Sequence, residues 1–154
     1  EYVNWLNDYE IVKFTSQKNL KHTLDNVKNF VLEKKNSKNE FLFGIFLQNN
    51  NECKHVGNIK LWVINFIDKS AHISYFIGDK NSWGKGIATK AIEEVIKIAS
   101  KKFKLKKLIA GTFENNASSI RVLEKNNFVI EKILKNKLIF ENKRYDHFFY
   151  GLSI

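Results

Sequence analysis

Apolar residues recur along the chain with a period that switches between helix-like and strand-like. From Glu1 to Phe14 the spacing of Val3, Leu6, Tyr9 and Val12 predicts a helix. Thr23 is placed to cap a second helix that runs through Lys35, with Leu24, Val27, Phe30 and Val31 on one face. The polar run 36–39 ends it. Dense apolar, β-branched and aromatic residues then predict strands at Glu40–Leu47, His55–Phe66 and Ala71–Gly78, with turns at 48–52 and 68–70. The strongest helical stripe lies in Ile87–Lys102, where Ile87, Ala91, Val95 and Ile98 form one row and Ala88, Ile92, Ile96 and Ala99 widen it. Lys101 and Lys102 suit the negative end of that helix dipole. A short strand at Lys107–Phe113, a helix at Asn116–Lys125, and strands at Phe128–Phe140 and Tyr145–Leu152 around the turn 141–144 follow. The order ααβββαβαββ places antiparallel strands first and one βαβ unit after them. It predicts an α/β fold of the mixed α+β kind, with one mixed, mostly antiparallel sheet flanked by helices. No repeat or linker divides it, and 154 residues suit one domain spanning 1–154.

Composition narrows the function classes. No apolar run approaches the length of a membrane span. The opening EYVNWLNDYE is acidic and lacks a secretory pattern, so a cytoplasmic protein is expected. The sequence contains no Met and is therefore expected to lack its own start. Cys53 is the sole cysteine and reads as an incidental thiol in a turn, with His55 a same-face strand neighbour and not a base built for it. The net charge of +10 comes from 24 Lys and 2 Arg. Arg is the usual bidentate reader of bases, so this excess gives little support to nucleic acid and some to a small polyanionic ligand. No basic–aromatic recognition motif accompanies the lysines, and no metal is expected.

The stretch NSWGKGIATKA, residues 81–91, joins a predicted strand to the strongest helix. A P-loop requires four residues between its first glycine and Gly-Lys-Ser/Thr; here five separate Gly78 from Gly84, and Gly86 stands where the hydroxyl belongs. A dinucleotide-binding turn requires a third glycine where Thr89 stands and an acidic residue in a region that reads KKFKLKK. What fits is Asn81-x-x-Gly84-x-Gly86, a tight turn that aims successive backbone N–H groups at an anion. With the helix dipole behind it, such a turn binds a pyrophosphate. A plain glycine-rich strand-to-helix turn is the alternative.

One predicted strand later comes ENNASSIRVLEKNNF, with Asn116, Ser119 and Phe128 at fixed spacing. Together, IGDK-x-x-WGKG-I-A-T and N-x-x-S resemble the GNAT superfamily of acetyl-CoA-dependent N-acetyltransferases. The likeness is nearest to the branch of ribosomal-protein N-terminal, polyamine and amino-sugar acetyltransferases. It covers residues 71–128, and HVGNIKL, YDHFFYGL and YVNWLND extend it over most of the chain.

The resemblance implies a sheet whose strands Ile73–Gly78 and Lys107–Phe113 splay around acetyl-CoA as cosubstrate. Backbone groups of Phe76, Ile77 and Gly78 are then expected along the pantetheine. Backbone N–H groups of Asn81, Ser82, Trp83, Gly84, Lys85, Gly86 and Ile87, continuing to Ala88, are expected on the pyrophosphate. Asn116 is expected to bond the pantetheine, and Lys85 and Lys125 to approach phosphates. Ser119 is expected near the thioester, as the acid for the departing thiolate. His72 stands where relatives often carry the base, and Tyr75 and Glu114 are expected near the same cleft. Three departures stand out: Leu123 replaces the tyrosine acid of many members, Asn127 replaces a glycine, and the chain opens in helix where the family fold opens in a strand. That strand is expected either to be missing from the chain as given or to leave the sheet one strand short. The acceptor favoured is a small-molecule amine, a nucleotide-linked amino sugar. A protein N-terminus or a polyamine is the alternative within the class, and a non-catalytic CoA- or nucleic-acid-binding basic module the alternative outside it. A monomer or homodimer is expected.

Overall fold

A computed structural model describes residues 1–49, 52–65 and 67–154. Three helices come first: α1 (Tyr2–Leu6), α2 (Tyr9–Val12) and α3 (Leu24–Asn36). Strands β1 (Glu40–Asn49), β2 (Glu52–Asn65) and β3 (Ser70–Ile77) follow, then a short 3₁₀ turn at Lys80–Ser82 and helix α4 (Ile87–Lys101). Strand β4 (Lys107–Phe113), helix α5 (Ala117–Lys125) and strands β5 (Val129–Phe140) and β6 (Lys143–Ser153) complete the order. The expected turn at 48–52 includes Asn50 and Asn51, and the expected second strand ends on Phe66; these three lie outside the described residues.

The helix expected over 1–14 is two helices. Polar side chains interrupt it even though the apolar spacing runs on. The Asp8 carboxylate caps α2 by accepting from the Glu10 N–H at 3.0 Å. The Asn7 side chain turns to the His22 backbone, donating to its carbonyl at 2.8 Å and accepting from its N–H at 2.9 Å. This pair folds residues 13–22 back against α1. Thr23 caps α3 as its hydroxyl and the Asn26 side chain exchange bonds with each other's backbone N–H.

One six-stranded sheet has the order β1-β2-β3-β4-β6-β5. The β3–β4 pair is parallel and the others are antiparallel. β1 forms one edge, and among the described residues no strand lies outside it. Register sorts the side chains by face. Ile59, Leu61, Ala71, Ile73, Leu108, Ala110 and Tyr150 pack with Ile92, Val95 and Ala99 of α4 and Leu123 of α5 in the main core. On the opposite face Phe76 packs against Leu6, Val12 and Val27 from the three N-terminal helices. His72 and Ser74 alternate with the main-core residues of β3 and so share the face of Phe76.

The end of α5 explains Asn127. The Phe128 N–H reaches the Leu123 carbonyl at 3.1 Å and the Asn127 N–H the Glu124 carbonyl at 2.9 Å, a Schellman closure. That closure requires a left-handed residue, and Asn127 has φ 62°. Asn substitutes for Gly here because it enters the left-handed region more readily than other side chains.

Candidate functional site: a splayed strand pair with a glycine nest at its mouth

β3 and β4 pair at Ser70↔Lys107, Ala71↔Leu108 and His72↔Ile109, and no further. Beyond that level β2 stays on β3 through Ile77, and β6 stays on β4 through Phe113. The sheet therefore opens into a V whose two inner edges carry backbone N–H and C=O groups with no strand between them. An extended ligand bearing amides can pair there as an added strand.

At the top of β3 the chain enters the nest. Gly84 has φ 73° and Gly86 φ 74°, and a Cβ on either would meet no heavy atom within 4 Å. The glycines are thus demanded by backbone conformation, and the space above them is open. Gly86 occupies the position before α4, and no side chain caps that helix. Among the described residues the backbone N–H groups from Gly84 to Thr89 make no hydrogen bond, the first within the helix being Lys90 N–H to Gly86 C=O at 3.1 Å. Unpartnered N–H groups, open space and the positive end of a 15-residue helix fit a pyrophosphate.

The other predicted loop residues divide by role. The Ser82 hydroxyl is buried and donates to Asp79 at 2.6 Å, while Asp79 also pairs with Lys54 at 2.9 Å. These bonds hold the Asp79 carboxyl below its ordinary pKa, the Ser82 bond being the largest cause. The Trp83 indole N–H donates to the Ile77 carbonyl at 2.8 Å. Lys80 reaches Asp8 at 2.7 Å, tying the loop to the start of α2. Asn81 and Lys85 are exposed. Ser82 and Trp83 therefore brace the turn with their side chains and leave the anion to the backbone.

Packing requires the glycine at position 78. A Cβ there would lie 2.0 Å from the Trp5 ring, and its N–H already donates to the Val56 carbonyl at 2.8 Å. With the Ile77 carbonyl held by Trp83, part of the Phe76–Gly78 backbone expected along the pantetheine is committed within the protein. Trp5 itself was not singled out by sequence, because its partner lies far along the chain.

On the α4–α5 face of the V stands Ser119, in the first turn of α5. Asn116 caps this helix: its Oδ1 accepts from the Ser119 N–H at 3.3 Å and from the Ser118 hydroxyl at 2.9 Å. The Ser119 hydroxyl lies 2.9 Å from the Tyr75 hydroxyl, which crosses from β3. Burial pushes the Tyr75 phenol up to about 12. A phenol so raised is neutral near pH 7 and makes a poor base; its hydroxyl also donates to the Ser119 carbonyl at 3.3 Å, so Tyr75 stands in the cleft as expected. Leu123, where many relatives carry a tyrosine, is fully buried in the core. Asn126 also went unremarked in the sequence: its side-chain amide donates to the Thr89 carbonyl at 3.2 Å and the Val122 carbonyl at 2.9 Å, clamping α5 to the start of α4. Lys125, Thr89 and Lys97 line a groove between these two helices.

On the opposite face His72 stands at the last closed level of the V, half-buried, its ring 5.4 Å from that of Trp62. Burial lowers its pKa below the ordinary 6.5. Glu114, just past β4, accepts from the Asp146 N–H at 3.0 Å and so ties β4 to β6. Among the described residues no helix is long and apolar enough to cross a membrane, and no group of three or more His, Cys, Asp or Glu could hold a metal ion.

Comparison with known proteins agrees with this geometry. The family model for the GNAT acetyltransferase domain matches residues 1–129. A Bacillus subtilis (strain 168) protein described as "Probable N-acetyltransferase YjcK" is 35% identical over 109 residues, 70% of this chain. The chain spans 59% of that relative's length. Among solved structures, the spermidine N-acetyltransferase from Vibrio cholerae in complex with CoA and spermine superposes with a TM-score of 0.85 at 18% identity, over 99% of this chain and 87% of that one. A GNAT-family acetyltransferase from Bacillus anthracis gives 0.80 at 24% identity, over 98% and 86%. At these identities the two structures establish the fold. With most of its length matched by the family model and its strands splayed above a glycine nest, the chain belongs to the GNAT acetyltransferase family, whose cosubstrate is acetyl-CoA.

Proposed function

We propose that this protein transfers the acetyl group of acetyl-CoA to a primary amine by direct attack, without an acetylated enzyme. The observation that carries this reading is the open V between β3 and β4, with the unpartnered N–H groups of residues 84–89 at its mouth. The nest takes the pyrophosphate, and the inner strand edges take the pantetheine amides. The thioester then lies at the level where the strands part, between the Ser119–Tyr75 pair on one face and the half-buried imidazole of His72 on the other. Backbone N–H groups of the open strand edges polarise the thioester carbonyl. Ser119, hydrogen-bonded to a neutral phenol, delivers a proton to the departing thiolate. Asn116 uses its Oδ1 on the helix start, which leaves its amide N–H groups for the pantetheine. An imidazole on the far face takes the amine's proton, and His72 is one group there able to do so.

The acceptor proposed is an amino sugar, nucleotide-linked, on the likeness of the opening YVNWLND and the strand GNIKLW to that subgroup. The charge of +10 also disfavours a polycation such as spermidine. The test is thiol release from acetyl-CoA across nucleotide amino sugars, spermidine and peptides with free N-termini. The highest kcat/KM is expected with a nucleotide amino sugar. A higher value with spermidine or a peptide overturns the acceptor, and acetyl-CoA binding without thiol release from any amine favours a CoA sensor instead.

A further inference from the structure

His147 on β6 is a residue to which the sequence motifs assign no role. Its backbone pairs with Phe113, at the end of β4, but its ring leans back along the strand. A Cβ built on Gly111 would lie 2.6 Å from His147 Nε2, so the imidazole occupies the space that the missing side chain leaves. Gly111 is two residues past Ile109, the last β4 residue paired with β3. The equivalent level on β3 is Ser74, next to Tyr75. The His147 nitrogen therefore sits beside the first open level of the V, one step beyond His72. It lies on the sheet face that carries His72 and Ser74, because Gly111 and Ile109 share that face and Ile109 pairs with His72. The Ser119–Tyr75 pair lies on the other face at the same level. An acid on one side of an open strand pair and an imidazole on the other is the arrangement that amine attack on a thioester requires.

We propose that His147 is the group that takes the proton from the incoming amine, in the acetyl transfer proposed above and resting on that reading. An ammonium has no lone pair. His147 Nε2 accepts one proton, the freed nitrogen attacks the thioester carbon, the C–N bond forms and the C–S bond breaks. Of the two protons that leave the nitrogen, one ends on the CoA thiol by way of Ser119, and one passes from His147 to solvent. The ring is braced for this: it lies against Phe149 with centroids 4.1 Å apart and planes tilted by 38°, and it makes no hydrogen bond among the described residues. Burial lowers its pKa below 6.5, so the neutral form prevails at pH 7. The titratable groups on its face are Lys143 and Tyr145 on its own strand, Lys132 and Glu131 on β5, Lys107 on β4 and His72 on β3, the Glu131 carboxylate lying over Gly151, four residues along β6. Lys13 lies near Phe14, which packs on Phe113 from the N-terminal layer. Across the sheet Asp146 is paired with Lys135, and Glu114 with the Asp146 backbone. The Glu131 carboxylate on that face is paired with Lys107 at 2.7 Å, and burial is the cause of the lowered His147 pKa.

The test uses the full chain and the best amine from the acceptor panel. His147→Gln should lower kcat/KM for the amine by about 10²-fold at pH 7.5. It should also abolish the acid limb of the pH–rate profile, while acetyl-CoA affinity by calorimetry stays within about twofold. His72→Gln should keep the acid limb. Added imidazole should restore turnover to His147→Ala, a rescue that a packing role does not give. A His147→Gln enzyme with the wild-type rate and acid limb overturns the proposal, as does a limb lost in His72→Gln alone. Should His147→Gln fold poorly, Gly111→Ala carries the test, since its methyl displaces Nε2 while the imidazole remains; unchanged amine kinetics in that variant also overturn the role. A wild-type protein that binds acetyl-CoA and acetylates no amine instead overturns the transfer reading, and this role with it.

Discussion

Replacing Gly86 by Ala separates the two things that glycine supplies. Its φ of 74° and ψ of 6° lie in the left-handed region. There an L side chain costs about 1–2 kcal/mol. No heavy atom lies within 4 Å of the new methyl, so there is no clash to add. For a chain of this length about 1 kcal/mol moves the midpoint by about 2–4 °C, which gives a fall of about 2–8 °C. The ligand should notice far more. The methyl enters the open space above the nest and displaces the N–H groups of residues 84–89 from an anion. Losing one hydrogen bond to a charged group costs about 1.5–3 kcal/mol, or about 10–150-fold in affinity. Calorimetric titration with acetyl-CoA, beside a thermal melt of the free protein, reads both. A variant that loses the expected stability yet binds acetyl-CoA within twofold of wild type refutes the assignment of the nest to the pyrophosphate.

Ser119→Ala should lower turnover by about 10²-fold, the small end for a positioned acid because the thiolate leaves readily, with acetyl-CoA affinity little changed in calorimetry. A loss confined to affinity would make Ser119 a binding residue. Cys53 is exposed and remote from the Ser119–Tyr75 pair in sequence, so Cys53→Ala should keep near-wild-type rates, and mass spectrometry should find no acetylated enzyme during turnover. Asn127→Ala should lower the thermal midpoint by about 2–8 °C through left-handed strain, whereas Asn127→Gly should not lower it at all.

The parts of the fold legible in the sequence are those fixed by local chemistry. The α4 stripe and the Thr23 cap each depend on residues a few positions apart and stand where expected, and the left-handed Asn127 takes the place of a glycine for an equally local reason. The apolar period of residues 1–14 misled for a physical reason: Asn7 and Asp8 spend their side chains on backbone caps, and a periodicity count does not see them. Gly78 carries a second constraint that the motif does not show. It sits in a ligand motif, and a side chain there would meet Trp5. In the candidate site, the nest could be read because its glycines and helix start are contiguous. The Tyr75–Ser119 bond joins residues 44 apart, and the His147 ring over Gly111 depends on where β6 sits against β4. Register sets such contacts, and a one-residue slip would send His147 to the other face.

Amide hydrogen exchange with and without acetyl-CoA tests the central claim most directly, because the site is built largely of backbone N–H groups. The account predicts that acetyl-CoA protects residues 84–89 at the start of α4 and the inner strand edges of the V, Ile73–Ile77 on β3 and Ala110–Phe113 on β4. It predicts no change in α3, which covers the other face. Protection confined to α3, or binding that leaves residues 84–89 exchanging at the free rate, would contradict it.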